Sequence, residues 1–158
     1  MRIHAKAWLV VLGFSVAGIA QAQEKLLILP AQFGPNVQVV DSVKRECELE
    51  AKIDEWVMES VSKKYSAARG DKAGSGKTLR VTITNVFGVG GGAYSGSKSM
   101  SVQADLMQGG KVIATTTKNR SSGGGAFAGM KGTCAIFGRV AKALGADVAA
   151  WLPSAMGN

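Results

Sequence analysis

Two stretches carry most of the side chains that could meet a ligand. Residues 90–98 read GGGAYSGSK and residues 123–131 read GGGAFAGMK, thirty-three positions apart, with glycines, an alanine, a ring and a lysine in one order and spacing. Glycine runs let backbone N–H groups approach a bound group closely, and lysine adds positive charge. The chemistry on offer is the holding of an anion or of a partner's surface. The candidate contact residues are Gly90, Gly91, Gly92, Tyr94 and Lys98 in the first copy and Gly123, Gly124, Gly125, Phe127 and Lys131 in the second, with Arg120 just ahead of it. The same repeats also suit two tight bends at one end of a sheet, a structural use that needs no ligand.

Catalytic chemistry is thinly represented. His4 is the only histidine and lies in an N-terminal leader expected to be removed, so a Ser-His-Asp triad, a Cys-His pair and histidine-ligated zinc are excluded from the mature chain. Ser95, Ser97 and Ser99 stand beside Lys98, and the alternative reading is a secreted hydrolase using such a serine–lysine pair or carboxylate groups. Asp105 and Asp147 are isolated in sequence, and the glutamates of the first helical stretch read as a solvated face. The segment AGSGKT (73–78) imitates a phosphate-binding P-loop, but Asp71 stands where that motif needs its first glycine, and the segment opens a strand rather than a helix. The residues therefore point to a non-enzymatic protein with no cofactor and no metal.

The ends of the chain bear on where it works. Arg2, His4 and Lys6 precede the apolar run AWLVVLGFSVAGIA and then AQAQ, the pattern of a secretory signal peptide cut after Ala22. Residues 1–22 are thus expected to be a leader and 23–158 a single domain in the periplasm or outside the cell, with no transmembrane segment in the mature chain. Two cysteines remain, Cys47 and Cys134, and an even count in an oxidising compartment points to one disulfide. The net charge of +8 falls to about +6 without Arg2 and Lys6, and it is unevenly spread. Residues 23–59 hold four basic and eight acidic side chains, residues 60–158 thirteen basic and three acidic. In the cell envelope such a basic part meets anionic glycans and headgroups, not nucleic acid; it also serves simply as a solvated surface.

The elements that must position these residues follow from hydrophobic period. KLLILPAQF (25–33) reads as a buried strand, and residues 39–65 as a helix with Val43, Cys47, Ile53, Trp56, Val57 and Val61 near one face. A polar loop covers 67–77. Residues 78–87, 98–107 and 111–118 alternate as strands, the last two joined by a hairpin at Gly109-Gly110. The final helix begins near Thr133 and ends near Leu152, with Pro153 after it. Trp56 and Trp151 sit on apolar faces and read as core anchors. The predicted fold is α+β, a β-α-β-β-β-α two-layer sandwich with a mostly antiparallel sheet, two helices on one face and one disulfide tying the first helix to the start of the second. In such a meander both glycine segments leave the same end of the sheet.

The run TLRVTITNVFGVGGGAYSGSKSMSVQADLMQGGKVIATTTKNRSSGGG, with the terminal TCAIFGRVAKALGADVAAWL, resembles small proteobacterial envelope proteins of unknown function. These pair an aliphatic strand, a glycine-rich bend, a "GKV" hairpin, another glycine bend and a final helix. The resemblance implies a sheet-and-helix module, distantly similar to the N-terminal domain of TolB, and it brings no catalytic or binding residues. The leader lacks the lipid-bearing cysteine of the lipoproteins among such families. The expected function is an exported binding and assembly module that meets an anionic envelope component or a protein partner, with a homo-oligomer built by strand addition as a further expectation.

Overall fold

The computed structural model describes residues 25–88, 96–123 and 132–157. Six strands and three helices occur in the order β1 (Lys25–Ile28), β2 (Gln32–Phe33), α1 (Asp41–Cys47), α2 (Leu49–Ser62), β3 (Ser66–Arg69), β4 (Lys77–Phe87), β5 (Lys98–Gln108), β6 (Lys111–Ser122) and α3 (Thr133–Met156). One mixed sheet runs β3-β1-β4-β5-β6, with β2 beside β4. The pairs among β1, β2, β3 and β4 are parallel, and the longer ladders β4–β5 and β5–β6 are antiparallel. The helices cover one face, so the fold is the expected two-layer α+β sandwich.

Strand alternation explains the layering. Leu79, Val81 and Ile83 of β4 and Met100, Val102, Ala104 and Leu106 of β5 point inward, where they meet Ile53, Val57 and Val61 of α2 and Phe137, Val140, Leu144 and Val148 of α3 in one core. The opposite face is polar, with Arg80, Thr82, Gln103, Thr115 and Thr117 in cross-strand register. Trp56 and Trp151 are half-buried against the core, as expected of anchors.

Four local readings are refined. The apolar run 25–33 is two strands, because Pro30 cannot donate to a ladder and the chain shifts there from β1 to β2. The expected helix over 39–65 is broken at Glu48, whose φ of 46° is left-handed. Cys47 and Leu49 are both 1% exposed. In an unbroken helix positions i and i+2 diverge by about 200°, so only a break lets both face the core. β3 rises at the edge of the expected loop because β1 has a second edge to pair, Lys25–Ile28 lying parallel to Ser66–Arg69. Finally, α3 runs through Pro153 to Met156. Pro153 lacks an N–H but lies in the last turn, and its carbonyl accepts the N–H of Gly157.

The disulfide joins Cys47, the last residue of α1, to Cys134 near the start of α3. Below it α2 and α3 pack side by side. The acidic residues of α2 are not all a solvated face. Asp54 accepts the Ala31 N–H at 2.6 Å and Glu50 the Phe33 N–H at 3.3 Å, so α2 holds the crossing from β1 to β2 in place.

Candidate functional site

The register places the points of departure of the two glycine segments, Gly88 and Gly123, at one end of the sheet. Phe87 pairs with Ser99 and Lys98 with Ser122, so Gly88 and Gly123 leave the sheet at the same end, on either side of β5. Gly90, Gly91, Gly92, Tyr94, Gly124, Gly125, Phe127 and Lys131 lie outside the described residues. The two described cations of the expected site are both spoken for. Lys98 projects to the core face and is fully buried. Gly88, at φ +140°, lies over its stem, and a Cβ there would collide with the lysine Cδ. Burial pulls the Lys98 ammonium below its ordinary 10.5. Arg120 grips Asp147 through two hydrogen bonds of 2.6 Å, and this partner raises its pKa. Asp147 is the fifteenth residue of α3. Arg120 is therefore anchored about 21 Å along the helix from its start, at a rise of 1.5 Å per residue. The helix begins instead beside Cys47, through the bridge.

What opens at this end is a cleft. β2 ends where Gly34 donates its N–H to the Ile83 carbonyl at 2.8 Å, and Pro35 then turns the chain away. β4 continues four residues further, to Phe87. Between the diverging segments 36–40 and 84–88 lies a space of about 810 Å³, lined also by Gly96 and Ser97. Its walls carry Val37, Val39, Val86 and Phe87 with Gln38, Thr84 and Asn85, and no charged side chain among the described residues. The outer edge of Thr84–Phe87 has no ladder partner among the described residues, since β2 reaches only Ile83. Phe87 and Val40 are 65% and 49% exposed at the mouth.

The topology gives this place a reason. From β1 and β2 the chain passes through α1 and α2 to β3 on one side, whereas β4 leads to β5 on the other. The two connections therefore part at the carboxyl ends of β2 and β4, and the cleft lies between them. The sequence reading did not reach these residues. The Gly34-Pro35 pair that ends β2, and the bulge between Ile83 and Asn85, were the available signals.

The outer face of the sheet carries a second polar cluster. Asp105 is buried, 2% exposed, though it lies on the side without helices. Arg80 donates to it at 2.8 Å, Thr115 at 2.8 Å and Gln103 at 3.0 Å. Burial alone would raise its pKa, but these hydrogen bonds and the Arg80 charge together bring it below 3.8. A carboxyl depressed in the folded state stabilises above its unfolded pKa and loses that contribution as pH falls through the folded value. Asp105→Asn is expected to cost about 2 kcal/mol at neutral pH and to flatten the loss of stability below pH 4. Urea titrations at a series of pH values read both effects. Both carboxylate oxygens of Asp105 are thus taken up by its neighbours on the same face.

No family model matches the chain, and no curated protein matches it at a significant level. Solved structures do match, and they define the class first: a two-layer α+β module found in several bacterial proteins. The PelC dodecamer from Paraburkholderia phytofirmans is similar at a TM-score of 0.53 and 12% identity, over 80% of this chain and 86% of that one. A homolog of the neuraminyllactose-binding hemagglutinin from Helicobacter pylori is similar at 0.55 and 9%, over 86% and 89%. A DUF330 protein from Xanthomonas campestris is similar at 0.51 and 11%, over 87% and 88%. At these identities the shared property is the fold. None of the three bears on the likeness to TolB.

Proposed function

We propose that the protein is an exported, non-enzymatic binding and assembly module of the bacterial cell envelope, whose cleft takes an extended, uncharged polypeptide segment. The observation that carries this is the outer edge of Thr84–Phe87, without a ladder partner among the described residues, inside a cleft whose described lining is uncharged. An extended chain adds to such an edge through backbone hydrogen bonds, and its alternate side chains settle against Val37, Val39 and Phe87. The residues that flank the first glycine segment, Gly88 and Gly96, both line this cleft, so the expected contacts at residues 90–94 belong to the same proposal. Export is supported by the leader pattern and by the disulfide, which suits an oxidising compartment. Among the described residues no helix is long and apolar enough to cross a membrane. A non-enzymatic role is supported by Asp105 and Asp147, each held by an arginine. Strand alternation also turns Lys98 and Ser99 to opposite faces, which disfavours the serine–lysine hydrolase.

Two glutamates at the mouth, Val40→Glu with Phe87→Glu, place charge where an uncharged segment would lie and remove no core contact. A photo-crosslinker at Asn85 in intact cells is expected to capture a protein, and the two glutamates to reduce that capture about tenfold with an unchanged melting temperature. Equal capture in the charged variant would overturn the reading. An adduct of twice the protein's own mass would assign the segment to a second copy, an outcome favoured by the dodecameric state of PelC.

A further inference from the structure

Four of the described cations stand in ion pairs: Lys63 with Glu59, Arg69 with Asp54, Arg80 with Asp105, and Arg120 with Asp147. Three that have no ion pair among the described residues, Lys52, Arg139 and Lys142, converge on one groove between α2 and α3. The groove encloses about 400 Å³, and Glu55 is the only acid among its described lining residues. Gly138 lines its floor, and a Cβ there would only touch the Lys52 stem, at 3.9 Å. The disulfide fixes its upper end, as Cys134 lines the wall. Trp56 forms one side, half-buried, with the Lys142 ammonium 4.6 Å from its ring centre.

Three cations against one acid give the groove a positive field, which draws an anion in. The Arg139 fork suits two oxygens of a phosphate, and the two lysines supply point charges to the third. The Trp56 edge offers an apolar surface beside that anion, of the kind against which a ring lies. The volume falls at the small end of ligand sites. We infer that the α2–α3 groove binds a phosphate-bearing anion the size of a phosphorylated sugar, with Lys52, Arg139 and Lys142 on the phosphate and Trp56 beside the ring. This site is separate from the cleft: it lies on the helical layer, and its ligand is charged where the cleft is neutral.

Calorimetric titration of the intact protein with glucose 6-phosphate tests the assignment, beside inorganic phosphate, glucose and vesicles containing phosphatidylglycerol. The sugar phosphate is expected to bind, glucose to fail, and inorganic phosphate to bind about tenfold more weakly. Arg139→Gln with Lys142→Gln is expected to weaken binding about a hundredfold, roughly tenfold for each lost charge-assisted contact. Lys111→Gln with Lys118→Gln, an equal charge loss on β6, leaves it unchanged. Lys52→Gln alone, expected to weaken binding about tenfold, serves where the double variant does not fold. Equal loss in both double variants would reduce the site to general electrostatics and overturn the inference. So would binding of vesicles alone, or equal affinity for phosphate and its sugar ester. The Val40→Glu, Phe87→Glu protein keeps sugar phosphate binding if the groove stands and the cleft reading fails.

Discussion

Replacement of Gly145 by leucine is expected to leave the protein without a stable fold, and replacement by alanine to cost about 2 kcal/mol. A helix interior ordinarily gains about 1 kcal/mol when glycine becomes alanine. Here the sign reverses. Gly145 is buried on α3, and a Cβ at that position would stand 2.6 Å from the carbonyl carbon and oxygen of Trp56. Those are backbone atoms of α2, so no rotamer change makes room; the two helices must separate. Helices that move apart lose the contacts of Ile53, Val57, Leu144 and Val148 together. Leucine adds three more heavy atoms to the same gap, and the loss then approaches the whole stability of a small domain, about 5–15 kcal/mol. Calorimetry should show a lowered melting transition for alanine and none for leucine.

The second large effect is loss of the disulfide. Cys47 and Cys134 are 87 residues apart in sequence, and closing so long a loop restricts the unfolded chain by about 4–5 kcal/mol in the chain-entropy model. Cys47→Ala with Cys134→Ala is expected to cost about 3–4 kcal/mol, read as a lower denaturant midpoint. Reductant should bring the native protein to a similar midpoint and leave the double variant where it was. A midpoint indifferent to reductant would mean that the bridge adds nothing to the fold.

Much of this architecture was legible in the sequence because burial imposes a period. The strands 78–87 and 98–107 alternate every second residue, and the stripe Phe137, Val140, Leu144, Val148 recurs at helical spacing. Their layering and the disulfide followed. What could not be read is what depends on partners distant in sequence. SAAR (66–69) has no β-branched or aromatic residue and becomes β3 only because β1 presents an edge. Glu48 takes a left-handed conformation for the sake of Cys47 and Leu49, a demand that no local propensity expresses. The site was legible only by its end of the sheet. Lys98 was expected to face a ligand from the glycine repeat, yet its place in the alternation of β5 turns it inward with Met100 and Val102. The cleft itself arises from the parting of residues 34–40 and 84–88, which lie some fifty positions apart in the chain.

The break at Glu48 reaches further than the burial of its neighbours. Unbroken, residues 41–62 would form a single rod of about 33 Å. Divided, they form a long arm under the sheet and a short one that starts at Val40, on the rim of the cleft, and stops at the bridged Cys47. That rim is therefore no slack tether but the free tip of a stub bolted covalently to α3. With the bridge reduced, that stub would still be held to the core by Val43, which is 1% exposed.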